Sequence, residues 1–264
     1  MNALFIGYGR MGSAIGEAWL SAALVDGIHA LDPYLTASDS AMVCRHLTDL
    51  PDTVFDLIVV AVKPAYACEV LAALPDEACT GAIVVSVAAG VTIDSLDQAL
   101  RSRAPVVRAM PNTPVLLRAG CTGLYARSTV DAARRSLITR LFESVGTACW
   151  VEREGLLDVV TALSGSGPAY YHLFSEALAD AGTTLGLPPR LAANLAAQTA
   201  LGAATLQTQP DADFAALRSA VTSPNGTTAA AVEVFERDQA LRALVNAAVV
   251  AAFTRAQALS GGSA

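Results

Sequence analysis

The chain of 264 residues is 53% hydrophobic and 16% charged, which excludes an intrinsically disordered protein and indicates a large buried core. Its formal net charge of -7 excludes a basic nucleic-acid-binding surface, because phosphate binding needs clustered lysine and arginine. Although mean hydropathy is +0.46, polar residues interrupt every apolar run before the roughly 18 to 20 residues that a membrane-spanning helix needs. We therefore expect a globular protein whose partners are small molecules, with neither a nucleic acid nor a membrane as partner.

The start of the chain and the cysteines bear on location and redox state. The apolar run that begins at Met1 has no basic segment before it and ends at Gly7, so it does not resemble a secretory signal, and we expect a cytoplasmic protein. The five cysteines are widely spaced and form no CxxC pair, which predicts neither a disulfide framework nor a metal site. We interpret them as reduced thiols. They are Cys44, Cys68, Cys79, Cys121 and Cys149.

Residues 1–154 alternate short β-rich apolar runs with amphipathic stretches, a pattern typical of βαβ units. The fold class is therefore α/β, with an N-terminal Rossmann-like, doubly wound parallel sheet. Continuous apolar runs suit strands that helices cover on both faces. The predicted strands are 3–6, 28–31, 57–62, 82–86, 106–110, 121–125 and 147–151.

Residues 155–264 change in character, because long segments rich in alanine and leucine replace the β-branched runs. We predict a domain boundary between a Rossmann-like domain over 1–154 and an all-α domain over 155–264. Predicted helices span 168–186, 189–208, 211–221 and 227 to the terminal Ser-Gly-Gly segment. Alanine-rich faces with few charges favour close helix packing, so we expect a homodimer or a higher homo-oligomer through this domain.

A glycine motif, Gly7-Tyr8-Gly9-Arg10-Met11-Gly12, follows the first predicted strand and opens a helix. In this position Gly7 allows a tight turn, Gly9 lets the backbone approach a pyrophosphate, and Gly12 lets the helix pack on the strand. Helix N-terminal amides, beginning at Arg10 and Met11, then face the anion. The alternative is a glycine turn in another α/β fold. The placement favours a dinucleotide site.

Asp32 ends the second predicted strand, about 20 residues beyond the glycines, where a carboxylate would accept hydrogen bonds from a ribose. That position favours NADH, because its charge would repel the 2′-phosphate of NADPH and residues 33–36 offer no arginine. The alternative is a strand-end cap. The cofactor is therefore predicted as NADPH or NADH.

Further candidate cofactor-binding residues follow the next strands. Val62, Lys63 and Pro64 lie at the carboxyl end of the third predicted strand, the sheet edge at which ligands bind in doubly wound folds. Lys63, the chain's single lysine, is either a proton donor or a solvent-facing positioning residue near nicotinamide. Ala89 and Asn112 follow the fourth and fifth strands. For Asn112 the alternative role is to close a strand into a proline turn.

Four segments together resemble the pyrroline-5-carboxylate reductase family, in the right order and over nearly the whole chain. These segments are Ser86–Val91, Arg108–Pro114, Leu163–Tyr170 and Val221–Thr228. The last resembles the family signature, which usually reads Ser-Pro-Gly-Gly-Thr-Thr. Here Asn225 replaces the first glycine. Asparagine tolerates left-handed backbone better than other non-glycine residues, so we expect the turn to survive.

The resemblance implies reduction of the C=N bond of 1-pyrroline-5-carboxylate to L-proline by NADPH or NADH. By resemblance Ser223 would hold the substrate carboxylate and Thr228 would hydrogen-bond the imine nitrogen, which makes them the catalytic candidates. The hydroxyls of Ser223, Thr227 and Thr228, with the amides from Gly226 onward, can form an anion-binding nest without lysine or arginine. An ordinary serine and threonine helix cap is the alternative for this loop.

Competing functions differ in what they need from the helical half. β-Hydroxyacid dehydrogenases resemble this chain in the Rossmann half but rely on a later lysine, and the chain has none after Lys63. A non-catalytic NAD(P)-binding sensor module would need no imine-binding loop. A reductase of a related cyclic imine acid, such as the six-membered homologue, stays open as well.

Overall fold

A computed structural model describes residues 1–261, and its contacts divide the chain into two compact units. Unit 1 comprises Met1–Ser166 together with the described residues from Ala252 onward, and unit 2 comprises Gly167–Ala251. By contacts, residues 155–166 therefore lie with the N-terminal part. The domain boundary after residue 154 stays a prediction.

Unit 1 is built on an eight-stranded sheet in the order β3-β2-β1-β4-β5-β6-β7-β8. All neighbouring strands run parallel except β6 and β7, which are antiparallel. The chain order reverses beside β1, as it does in doubly wound sheets. The strands are β1 Asn2–Ile6, β2 Gly27–Leu31, β3 Met42–Cys44, β4 Leu57–Val60, β5 Ile83–Ser86, β6 Val106–Met110, β7 Gly120–Ala126 and β8 Gly146–Trp150.

The seven predicted strands all form, and the mostly parallel sheet confirms the predicted fold class. Two features differ from the prediction. The three-residue β3 was missed, because so short a strand shows no periodicity. The antiparallel β6–β7 pair was also missed. Only the 3₁₀ turn Thr113–Leu117 lies between those strands, and a parallel pair needs a connection of a dozen or more residues.

Helices cover both faces of this sheet. They are α1 Arg10–Ser21, α2 Pro64–Ala72, α3 Asp76–Cys79, α4 Ile93–Ala99, α5 Ala132–Glu143 and α6 Leu156–Val160. Alternate residues of each strand supply two buried clusters, so that Phe5 and Val59 belong to one and Leu4 and Ile58 to the other. Trp19 of α1 is fully buried in the first cluster. Its indole Nε1 donates to the Leu141 carbonyl of α5 at 2.7 Å.

Unit 2 is entirely helical over its regular elements. Its helices are α7 Gly167–Thr184, α8 Pro189–Gln207, α9 Phe214–Ala220, α10 Thr227–Glu236 and α11 Ala240–Gly261, the last of which ends in unit 1. The predicted helix starting at 227 is thus two helices. A break at 237–239 separates them, where Asp238 and Gln239 have left-handed φ values of 53° and 55°. No glycine or proline marks that break in the sequence.

The helices of unit 2 leave most of their large apolar side chains exposed. Among its described residues only Gly167, Ala192 and Ala196 are buried. The stretch Thr227–Gly261 has the length and apolar composition of a membrane span, with 6% of its most apolar window buried. Alanine, valine and leucine outweigh the interrupting arginines in the mean hydropathy of this stretch, although no uninterrupted apolar run in it reaches 18 residues.

Candidate active site

The glycine loop between β1 and α1 has the geometry that a pyrophosphate site needs. Gly7 has a φ of +87°, and a Cβ there would lie 2.9 Å from the Ala61 backbone, so only glycine fits. A Cβ on Gly12 would lie 2.5 Å from the Gly7 carbonyl oxygen, which reflects close packing of α1 on the loop. Around the Cβ position of Gly9 there is nothing within 4 Å. That space fits a ligand approaching the backbone, and α1 begins directly afterwards at Arg10.

Asp32 follows β2 at the same sheet edge, and its carboxylate is bound to backbone amides. The amide of Tyr8 donates to Oδ2 at 3.0 Å, and the amide of Tyr34 donates to Oδ1 at 3.0 Å. The carboxylate therefore connects the glycine loop to the turn after β2. This geometry favours the capping role considered for Asp32.

The neighbouring strands place the other predicted cofactor residues at this edge. Val62 and Lys63 follow β4, and Lys63 is the N-cap of α2, with Pro64 as its first residue. The Lys63 side chain is exposed. Ala89 lies half-buried in the turn after β5. Parallel strands end at one edge, so the sheet brings these residues to the side that carries the glycine loop.

Asn112, after β6, is buried and makes two structural hydrogen bonds. Its Nδ2 donates to the Ser164 carbonyl at 3.0 Å, and its Oδ1 accepts from the Cys121 amide at 2.8 Å. Ser164 belongs to the π-helical turn Thr161–Gly165, and such turns are frequent at functional sites. Asn112 thus holds β7 and this turn together. This contact supports the strand-closing role more directly than a cofactor contact.

A partly buried ion pair near this edge was not predicted from the sequence. Arg108 on β6 donates from Nη1 to Glu154 Oε1 at 2.7 Å, and the same oxygen accepts from the Ile93 amide, also at 2.7 Å. Glu154 therefore joins β6 to the start of α4. The two charged residues lie 46 positions apart, so no local pattern pairs them.

In unit 2, the loop from Ser223 into α10 forms a tight turn. Asn225 has a left-handed φ of 59°, which confirms that asparagine carries the turn in place of glycine. The Gly226 amide donates to the Ser223 carbonyl at 3.0 Å and closes the turn. A Cβ on Gly226 would lie 2.5 Å from Ser223 Oγ, so the hydroxyl lies directly against the glycine.

The start of α10 leaves the anion-binding groups available. Thr227 is its first residue, Gly226 is its N-cap, and no side chain of the described residues caps it. The first helical hydrogen bond at this end runs from the Ala230 amide to the Gly226 carbonyl at 3.2 Å. The amides before it point out of the helix end. Thr227 is exposed and Thr228 half-buried.

Glu236, the last residue of α10, fixes that helix to its neighbours in unit 2. It accepts from Arg218 Nη1 at 2.7 Å and from Arg242 Nε and Nη2 at 2.9 and 2.7 Å. The Arg242 hydrogen bond, with further help from Arg218, lowers the pKa of the Glu236 carboxyl. The helix that carries Thr228 is thereby held at its far end.

Comparisons with known proteins agree with these two parts. A family described as pyrroline-5-carboxylate reductase dimerisation matches residues 154–259. Pyrroline-5-carboxylate reductase of Pseudomonas aeruginosa is 45% identical over 78% of this chain and 75% of its own. That of Mycobacterium leprae is 38% identical over 94% of each chain. The crystal structure of Plasmodium falciparum pyrroline carboxylate reductase with NADP bound covers 98% of both chains, at 29% identity and a TM-score of 0.85.

The fold and the glycine loop define a dinucleotide-binding protein of the Rossmann-like class with a helical second part. Within that class, the chain belongs to the pyrroline-5-carboxylate reductase family. The match of residues 154–259 to a dimerisation domain, with the exposed apolar helices of unit 2, supports a homo-oligomer.

Proposed function

We propose that this protein is a pyrroline-5-carboxylate reductase. It reduces the C=N bond of 1-pyrroline-5-carboxylate with NADPH or NADH and produces L-proline, the last step of proline biosynthesis. The observation that carries the proposal is the turn from Ser223 into α10, which presents hydroxyls and free amides in a chain of this family. A non-catalytic NAD(P)-binding module would have no use for that turn.

The residues present fit a nicotinamide dinucleotide. The open space at Gly9 and the N-terminal amides of α1 suit the pyrophosphate, since glycine leaves room and the helix dipole favours the anion. When bound, the reduced nicotinamide would supply a hydride to the carbon of the C=N bond, and a proton on the ring nitrogen completes the secondary amine. Arg10 and Met11 follow the open glycine and Lys63 is exposed at the same sheet edge, so we assign these residues to cofactor binding.

The loop of unit 2 acts on the substrate. Ser223 Oγ and the free amides of Thr227 to Ala229 bind the substrate carboxylate, because an N-terminal helix end binds anions without a cationic side chain. Thr228 hydrogen-bonds the ring nitrogen and orients the C=N bond. Rate enhancement then comes mainly from orientation, which can supply a large share of the barrier reduction in bimolecular reactions.

The proposal also covers the location, the oligomeric state and the partner of the protein. We assign the protein to the cytoplasm as a homodimer with interlocked helical domains, with the small-molecule imine acid as its partner. The exposed leucines of α7, α8 and α11 supply the apolar surface for this dimer.

Turnover of 1-pyrroline-5-carboxylate, followed by oxidation of NADPH and of NADH in parallel, tests the proposal. Thr228→Ala should lower kcat by about 10- to 100-fold, and Ser223→Ala should mainly raise KM. Thr184→Ala is the matched control, because its hydroxyl donates to its own helix at the Asp180 carbonyl and should leave both parameters unchanged.

Two results would contradict the proposal. A folded protein that binds nucleotide tightly but turns over no 1-pyrroline-5-carboxylate points to the sensor function. Faster turnover of the six-membered cyclic imine carboxylate would assign the protein to that related substrate.

A further inference from the structure

The carboxylate expected to bind the adenosine ribose is already hydrogen-bonded within the chain. Both oxygens of Asp32 accept backbone amides, one from Tyr8 and one from Tyr34, each at 3.0 Å. A ribose in the NADH mode would use the acceptor sites that these two oxygens keep. The two amides compensate part of the negative charge, since charge-assisted bonds to carboxylates are strong. Asp32 therefore supports the loop, and its charge repels a nearby phosphate less than a free carboxylate would.

An arginine distant in sequence lies beside this turn. Arg45 follows β3 directly, and its Nε and Nη2 donate to the Pro33 carbonyl at 3.3 and 3.1 Å. The amide of Arg45 donates in turn to Asp49 Oδ2 at 3.0 Å, which fixes the backbone at that point. The Arg45 guanidinium is thus held at the backbone of Pro33, the residue that follows Asp32.

The topology explains why the arginine arrives there. β3 pairs in parallel with β2, and the Asp32 amide donates to the Cys44 carbonyl at 3.0 Å. Residues 32–41, which connect β2 to β3, contain no helix, so no helix of this connection covers the turn. Both strands end at the edge that carries the glycine loop, and Arg45 is exposed there.

The guanidinium keeps capacity for an anion. Of the five N–H donors of an arginine, the two bonds to Pro33 leave three available. In the described part of the chain Arg45 forms no salt bridge, in contrast to Arg103, Arg108 and Arg127. Planar guanidinium groups bind phosphate with several hydrogen bonds at once.

We propose that Arg45 binds the 2′-phosphate of NADPH and makes this protein prefer NADPH over NADH. The inference rests on the proposed function for its reaction, but it concerns binding of the adenosine end. It reverses the preference for NADH that the sequence around Asp32 favours, because that argument considered only residues 33–36.

Equilibrium binding of NADP⁺ and NAD⁺, measured by calorimetry on the full chain, tests this directly. Arg45→Gln should weaken NADP⁺ binding by about 10- to 100-fold and NAD⁺ binding by less than about twofold, because only the phosphate loses a charged donor. Arg140→Gln is the control for net charge, since Arg140 lies exposed on α5. It should change neither constant.

Asp32→Asn provides a second test with a different signature. If Asp32 supports the loop, the variant should weaken both nucleotides by a similar factor. A selective loss of NAD⁺ would show that Asp32 binds the ribose and would overturn the inference. Equal losses of both nucleotides in Arg45→Gln, or no loss, would overturn it as well.

Steady-state kinetics distinguish a failure of the Arg45 proposal from a failure of the proposed reductase activity. Selective loss of NADP⁺ binding in Arg45→Gln, with no turnover of the imine by the unmodified protein, would support Arg45 and refute the reductase. Turnover with an unchanged NADPH-to-NADH ratio of kcat/KM in Arg45→Gln would support the reductase and refute the role of Arg45.

Discussion

Units 1 and 2 have a similar share of apolar residues, but unit 1 buries its large apolar side chains and unit 2 leaves most of them exposed. Unit 1 buries its large side chains in two clusters, one on each face of the β-sheet. Unit 2 leaves Leu201 at 60% and Leu244 at 69% exposure, and buries little more than two alanines of α8. The sheet of unit 1 is covered by its own helices. The helices of unit 2 leave an apolar surface that the described residues of the chain do not cover.

Composition alone does not distinguish a buried core from an interface. Alternation along a strand assigns each side chain to a face that the chain itself covers. An alanine- and leucine-rich helix has no such built-in partner, and its exposed stripe marks a surface for association. Substitutions of apolar residues in unit 1 should therefore change the free energy of unfolding, and those in unit 2 should change association.

The largest expected effect is on the core of unit 1. Trp19→Ala removes a fully buried side chain and its bond to the Leu141 carbonyl, and should lower the free energy of unfolding by about 3–5 kcal/mol. Denaturant unfolding measures this. Leu20→Ala, a half-buried neighbour on α1, is the milder comparison. Equal small losses from both variants would contradict the assignment of Trp19 to the core.

A middle-sized effect is expected on association through unit 2. Leu201→Gln should raise the dissociation constant of the oligomer by about 10- to 100-fold, because a leucine buried on association contributes roughly 1.5–3 kcal/mol. Sedimentation across a concentration series measures the shift. Met42→Gln, equally exposed at 61% but on β3, is the control. If both variants associate like the unmodified chain, the surface of α8 is not an interface.

The smallest effect concerns pH and the exposed Glu236 cluster of unit 2. Because its pKa is lowered in the folded state, its contribution to stability is present above the ordinary carboxyl pKa and is lost as pH falls through the lower value. Glu236→Gln should therefore reduce the acid dependence of unfolding slightly, since exposed ion pairs contribute little. An unchanged slope in acid would rule out this contribution.

The sequence predicted the parts of the fold that local patterns encode. Period and composition located seven strands of unit 1, and the glycine spacing located the loop before α1. The helix break at Asp238 could not be predicted from the sequence, because neither glycine nor proline marks its two left-handed residues. β3 was too short to show a pattern.

The candidate site was only partly predictable, for a similar reason. The turn at Asn225 follows from residues that adjoin one another. Arg45 lies beside Pro33 because β3 pairs with β2, and a strand pairing across a loop is not visible in residues 33–36. Likewise Glu154 reaches Arg108 across 46 positions. Such long-range contacts decide which charged groups lie at this edge of the sheet, and residue spacing does not show them.

The return of the chain to unit 1 after Ala251 has a consequence for biosynthesis. Gly90 lies so close to Leu259 of α11 that a Cβ there would sit 3.2 Å from the Leu259 backbone, and Ser260 Oγ donates to Asp158 at 2.8 Å. These contacts come from residues that leave the ribosome after all of unit 2. The nucleotide-binding half can begin to fold during translation, but it acquires its last structural contacts only when the helical half has been synthesised.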